Sequence, residues 1–248
     1  MAGLPKIEVI TMWFNEAFLA PFFLNHYSCV DHIRIIDDEE STDDIRGVVS
    51  RYANASIEYI RFPAGFDNDI AVGRLNQSYR ESKADWVIAV DADEFVFMDD
   101  LPTLLSQQKE DIFYVRLFQV YRHREDSDLD PGIPIRLQRR HGDSHAVKGR
   151  NRKGMKPIVV RVGLHNMKWM PGQHNIWNRH HYVTSERVLF GAHWIMADPA
   201  FCVDRRLRGR ARQSQQNILR GNSCHYNTVT EELVREELGK HMDDERLF

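Results

Sequence analysis

Four short strand-like runs punctuate the first hundred residues, and the second and fourth break off into acidic positions. They lie at residues 7–11, 32–37, 57–62 and 86–90; the last, Trp86-Val87-Ile88-Ala89-Val90, is apolar throughout. Continuous rather than alternating hydrophobicity over so few residues marks that last run as a buried central strand. Helical stretches separate the runs. Residues 15–28 read as a helix that Pro21 kinks or delays. Ser41 with Asp44 three positions on has the form of a capping box, opening a helix to about residue 52. Residues 68–82 read as a third helix. This alternation predicts an α/β fold: a mostly parallel, twisted, Rossmann-like sheet with right-handed crossovers and helices on both faces.

The pattern changes after Asp100. A short helix is predicted at 101–108, then strands at 112–121, 133–139, 157–162 and 187–195. The stretches 122–132 and 141–156 are polar and charged. Loops of that kind usually carry function or stay unstructured, and we read them as acceptor-site loops. From Pro199 the chain is helical and basic, with Arg205, Arg206, Arg208, Arg210 and Arg212; the pattern alone describes a solvated helix face. Thr228 with Glu231 again has capping-box spacing and predicts a last amphipathic helix to about residue 241. No repeat, low-complexity tract or linker interrupts the chain. Residues 1–198 therefore read as one domain of two halves, 1–100 and 101–198, with helices at 199–248 packed on it.

Bulk composition narrows the classes. The 248 residues are 42% hydrophobic and 28% charged, ordinary for a globular protein. A net charge of −3 gives no global attraction for nucleic acid. Cys29, Cys202 and Cys224 are odd in number and far apart, which suits a reducing compartment and no zinc spacing. Residues 1–5 lack a signal-peptide pattern, and no apolar run approaches the ~20 residues of a membrane helix. A cytoplasmic protein is the expectation, with peripheral membrane contact left open. Six of the twelve histidines fall between His165 and His225, which leaves one or two as candidate metal ligands.

The chemistry gathers where the strands end. Asp91 and Asp93 follow the fourth run two positions apart, so on a continued strand they project together. The carboxyl edge of an open α/β sheet is where ligands bind. Two carboxylates there repel unless a cation compensates; Mg²⁺ or Mn²⁺, with oxygen ligands and substrate phosphates, is the natural partner. The segments Thr11-Met12-Trp13-Phe14-Asn15-Glu16 and Asp37-Asp38-Glu39-Glu40-Ser41-Thr42-Asp43-Asp44 follow the first and second runs and converge on that edge.

These segments, in this order, resemble a GT-A type glycosyltransferase of family 2. The likeness rests on Val9-Ile10-Thr11-Met12-Trp13-Phe14-Asn15-Glu16, on Ile35-Ile36-Asp37-Asp38-Glu39-Glu40-Ser41-Thr42-Asp43, and on the Asp-X-Asp motif in Val90-Asp91-Ala92-Asp93-Glu94-Phe95. Lys156-Pro157-Ile158-Val159-Val160-Arg161, His174 and Gly191-Ala192-His193-Trp194 extend it more loosely. Glu39 departs from the family's Gly after the paired acids. The resemblance implies a GT-A-like catalytic domain at 1–198, its first half binding nucleotide and its second the acceptor. It implies sugar transfer from a nucleotide-diphosphate donor, a UDP- or GDP-sugar, to a hydroxyl of a glycan or another acceptor. Inversion is implied, as is Mn²⁺ or Mg²⁺ at Asp91 and Asp93 with His193 or His174 as a further ligand. Asn15, Glu16, Asp37 and Asp38 would contact the nucleotide; Lys156, Arg161, Arg208 and Arg212 the diphosphate. An inverting reaction needs a general base; Glu125 and Asp126 are the first candidates, with Asp128, Asp143 and His145 behind them, while Glu94 at i+1 from Asp93 should point away. Trp169, Trp177 and Trp194 are candidate sugar platforms or core.

Two other classes compete: a sugar nucleotidyltransferase and a non-catalytic nucleotide-sugar-binding module. The first wants a Gly-rich basic loop where Trp13-Phe14-Asn15-Glu16 stands, and no P-loop motif is present. The intact Asp91 and Asp93 argue against the second.

Overall fold

A computed structural model describes residues 3–142, 155–222, 228–244 and 246–247. Asp143, His145, Cys224 and most of the predicted loop 141–156 lie outside these residues. Strands β1 (Ile7–Trp13), β2 (His32–Asp38), β3 (Ala55–Ile60) and β4 (Trp86–Asp91) are parallel, in the order β3-β2-β1-β4. Between them run α1 (Ala20–His26), α2 (Ile45–Val49) and α3 (Asn68–Glu81). Along β4 the alternation is strict. Trp86, Ile88 and Val90 join the core beneath α1 and α2, while Val87 and Ala89 join the core beneath α3. Both faces are buried, hence the unbroken apolar run.

The second half continues the same sheet: β5 (Glu94–Val96), α4 (Leu101–Ser106), β6 (Ile112–Tyr121), α5 (Ile135–Gln138), β7 (His141–Gly142), β8 (Met155–Arg161) and β9 (Leu189–Met196). The order runs β4-β8-β6-β9-β5, with β7 on β6. β8 is antiparallel to β4 and β6, and β9 is parallel to β6. Most strands thus share one direction, the expected mostly parallel sheet with antiparallel additions. Helices α6 (Pro199–Ala211), α7 (Gln215–Leu219) and α8 (Glu231–Lys240) follow. Cys202 and Val203 of α6 pack with Val234 and Leu238 of α8 in a small third core.

Several local expectations change. Helix α1 starts at Ala20, with Pro21 in its first turn, where a missing N–H costs nothing. Ser41 does not cap α2; Asp44 does, accepting from the Gly47 amide, and Ser41 donates to Asp37 at 2.8 Å. Thr230, not Thr228, caps α8. The strand expected at 133–139 is instead the short helix α5. There the Gln138 amide bonds the Asp130 and Ile133 carbonyls, and the buried Arg139 guanidinium serves the carbonyls of Ser127, Gln138 and Ala197. Backbone groups satisfied by side chains do not need a ladder.

Candidate active site

A cleft of about 470 Å³ opens at the carboxyl ends of β1 and β4. It lies where the strand order reverses direction from β1, the place the fold reserves for a ligand. Ile10, Met12, Phe62, Phe66, Val72 and Leu75 make one wall apolar. Lys156, Arg205, Arg208, His174 and His193 bring cationic and imidazole groups to the other, facing Glu16, Asp91, Asp93 and Glu94, while Arg212 lies over the Phe66 and Phe62 rings at 5.0 and 5.4 Å. An apolar slot beside a charged floor suits a ligand with a flat ring at one end and anionic groups at the other.

Asp93 is the centre of the floor. The chain turns at Ala92-Asp93 between β4 and β5, so Asp93 is not on a continued strand. Its carboxylate is 2% exposed. Arg205 of α6 donates to Oδ2 at 2.5 Å and to Oδ1 at 3.3 Å. The Nε2 of His193 lies 3.0 Å from Oδ2, and its Nδ1 2.9 Å from Gln119. Arg205 also donates to Glu16 Oε1 at 2.7 Å, while the second Glu16 oxygen is buried without a partner. Burial raises the Asp93 carboxyl, but Arg205 and His193 outweigh it and hold the group well below the carboxylate range. For Glu16 burial wins over Arg205 and pushes the carboxyl up to about 7. Burial lowers the His193 imidazole, and Asp93 more than restores it, leaving it above its ordinary value.

Asp91 heads a second group. Its Oδ2 accepts from Lys156 Nζ at 2.9 Å, and the same ammonium meets Glu94 Oε1 at 2.5 Å. Glu94 also accepts the Asp91 amide at 3.1 Å. The expectation that Glu94 turns away is therefore corrected: strand parity does not carry through the Ala92-Asp93 turn. Burial raises the Glu94 carboxyl against the pull of Lys156. Lys156 itself is lowered by burial and raised further by Asp91 and Glu94, so it stays an ammonium. Gln173, at φ 57 in the hairpin tip beside His174, reaches Asp91 Oδ1 at 3.4 Å, and its own Oε1 is buried and unpartnered. Burial and Lys156 lower the His174 imidazole.

Helix α6 supplies three arginines at i, i+3 and i+7 to the cleft: Arg205, Arg208 and Arg212. Arg208 donates to the Phe14 and Asn15 carbonyls at 3.1 Å each and pairs with Asp204 at 2.7 Å. Arg212 pairs with Asp38 and lies 3.7 Å from the centre of the Phe14 ring. Asp37 and Asp38 are 2% exposed and sit behind the cleft rather than in its lining. Burial raises Asp37 to about 6, with Ser41 bonded to it. Asn15, at φ 54, accepts the amides of Thr42 and Asp43 at 2.6 and 3.2 Å, clipping the turn after β1 to the loop after β2.

Other candidates fall elsewhere. Arg161 pairs in register with Trp86, at the opposite end of β4 from Asp91, stacked on the indole at 4.4 Å. Glu125 is exposed; Asp126 accepts the His123 amide at 2.8 Å; neither lines the cleft. Trp169 and Trp194 are core, while Trp177 is half exposed beneath Lys168. Sequence reasoning read Arg205 as part of a solvated face, although its i, i+3, i+7 spacing with Arg208 and Arg212 was the available signal.

A divalent ion fits this floor in part. Asp93 and the His193 Nε2 face the cleft 3.0 Å apart, and one Glu16 oxygen is buried without a hydrogen-bond partner. Among the described residues, no three His, Cys, Asp or Glu side chains stand close enough to hold a metal as they are. Two protein donors completed by phosphate and water are what such an ion ordinarily takes. Among the described residues no helix is long and apolar enough to cross a membrane.

The family description Glycosyl transferase family 2 matches residues 9–171, well over half of the chain. No curated protein matches significantly. Similar solved structures include S. aureus TarS 1-349, at 11% identity over 96% of this chain and 71% of that one, with a TM-score of 0.48. Its complex with UDP-GlcNAc gives 12%, 96%, 72% and 0.49. Glucosyl-3-phosphoglycerate synthase from Mycobacterium tuberculosis, in complex with Mg²⁺ and UDP, matches at 20% identity over 46% of this chain and 44% of that one, TM-score 0.35.

Proposed function

The chain belongs to glycosyl transferase family 2, and we propose that it moves a sugar from a UDP- or GDP-sugar to an acceptor hydroxyl with inversion at the anomeric carbon. One observation carries the reading. The cleft at the β1–β4 edge joins an apolar slot to a floor where Arg205, Lys156 and His193 compensate the Asp-X-Asp carboxylates. In this reading the base enters the slot lined by Met12, Phe66 and Val72, and the diphosphate lies over the cationic floor. The acceptor oxygen attacks the anomeric carbon as the bond to the diphosphate breaks, and its proton passes to a general base. Charge accumulates on the departing nucleoside diphosphate, and preorganised cations stabilise it there better than water does. Arg208 and Lys156 are positioned to meet that charge. When bound, Mn²⁺ or Mg²⁺ at Asp93 and His193 supplies Lewis-acid neutralisation of the same charge.

Thermal-shift titration with UDP and GDP, each with and without Mn²⁺, tests this. Stabilisation by either diphosphate, strengthened by Mn²⁺, is expected. Asp93→Asn keeps the side-chain shape, so it should fold, yet lose sugar-nucleotide hydrolysis and transfer at least about a hundredfold. Wild-type turnover in Asp93→Asn rejects the site. A larger shift with UTP or GTP than with the diphosphates favours a nucleotidyltransferase.

A further inference from the structure

Arg205 occupies the position from which a cation serves Asp93. Its guanidinium lies between two buried carboxylates, 2.5 Å from Asp93 and 2.7 Å from Glu16. Two carboxyl side chains share this cation, and one Glu16 oxygen is left without a partner. His193 Nε2 completes the ring of donors around Asp93 at 3.0 Å. The arrangement is a cation site whose resident is a side chain.

We propose that Arg205 is an exchangeable resident cation: a divalent ion takes its place at Asp93 only when a nucleoside diphosphate arrives to receive the guanidinium. The proposal rests on the nucleotide-sugar reading of the cleft. Two cations cannot both approach one buried carboxylate without mutual repulsion, so Arg205 in place disfavours the metal. Asp93 in turn cannot lose Arg205 without another cation, because an uncompensated buried charge is strongly destabilising. A diphosphate resolves both demands. Its oxygens match the planar fork of an arginine, and they complete the coordination of an ion that has few protein donors. Arg205 is 16% exposed on its side chain and lines the cleft, so the guanidinium reaches a ligand there without unfolding α6. No bond is made or broken; one cation replaces another at Asp93.

The test is Mn²⁺ binding, read as free Mn²⁺ by electron paramagnetic resonance, with and without UDP or GDP. For the wild type, nucleotide should strengthen Mn²⁺ binding at least about tenfold. Arg205→Met should bind Mn²⁺ at least about tenfold more tightly than wild type without nucleotide, and should lose most of the nucleotide dependence. A damaged fold does not raise metal affinity, so the gain separates exchange from a merely structural role. Arg205→Lys keeps the charge and should retain weak nucleotide-free binding. Nucleotide-free Mn²⁺ affinity unchanged or weaker in Arg205→Met overturns the proposal. Should that variant fail to fold, wild-type Mn²⁺ affinity indifferent to both nucleotides overturns it equally. If neither UDP nor GDP binds the wild type with or without Mn²⁺, the nucleotide-sugar reading itself falls; if they bind and the metal is indifferent, only the exchange does.

Discussion

At the scale of the residue, the cleft is built from carboxylates that need partners. Glu94 is 1% exposed, and Lys156 holds it together with Asp91. Lys156→Met removes the cation and leaves a buried acid beside another acid. Breaking a buried pair from one side costs about 3–5 kcal/mol, and protonation of Glu94, whose carboxyl burial already raises, returns part of it. The expected outcome is a clear fall in urea midpoint, reversed in Lys156→Met/Glu94→Gln, where the charge has gone from both partners. A double variant no more stable than the single one contradicts this account. Asp91 and Asp93 were legible as a pair because a buried strand ran straight into them. Glu94 was not, because a period of two holds only while the strand continues.

At the scale of the element, the sheet tolerates no bulk where three strands meet. Gly191 of β9 lies opposite Val96 and Leu117. A Cβ there would stand 2.6 Å from the Phe95 carbonyl oxygen and 2.8 Å from Leu117 Cδ2. Gly191→Ala should destabilise by about 1–3 kcal/mol through overpacking, read by chemical denaturation; a neutral effect means that β5 and β6 can part. Helix α1 carries a pH-sensitive contact. His26 Nε2 donates to the Val96 carbonyl at 2.7 Å, and burial lowers the imidazole to about 4. The unfolded chain keeps an ordinary histidine near 6.5. The folded state therefore binds this proton less readily than the unfolded one. The stabilisation is whole above about 6.5 and is lost as pH falls towards about 4. His26→Gln keeps a donor for Val96 without titrating, so its stability should fall less across that window. Parallel pH profiles for the two proteins remove His26 as the cause.

At the scale of the whole molecule, α6 binds the halves of the chain to each other. Its Arg205 serves Asp93, Arg208 the turn after β1, and Arg212 pairs with Asp38 at the end of β2. The segment after α6 docks on the loop after β3, where the Phe66 amide donates to the Arg212 carbonyl at 2.6 Å and the Ser214 amide to the Phe66 carbonyl at 3.0 Å. Gly65, at φ 85, makes that approach possible, since a Cβ would lie 2.6 Å from the Arg212 oxygen. We propose on this basis that residues 199–248 belong to the catalytic domain. A chain ending at residue 198 strands Asp93 and Asp38 as buried charges, each costing several kcal/mol. It should show no cooperative unfolding by near-ultraviolet circular dichroism; a cooperative transition would make the helices a separate unit.

The sequence alone determined the α/β alternation, the edge at which chemistry gathers and the family, because buried strands and the acids that end them are local in the chain. Tertiary structure decided which charges meet. Arg205 reaches Asp93 across 112 positions and Lys156 reaches Asp91 across 65. Arg161, in the same apolar-basic strand as Lys156, was sent to the opposite end of β8. Partner choice among buried charges depends on which strand ends and helix faces come together, and that is fixed by packing, not by spacing along the chain.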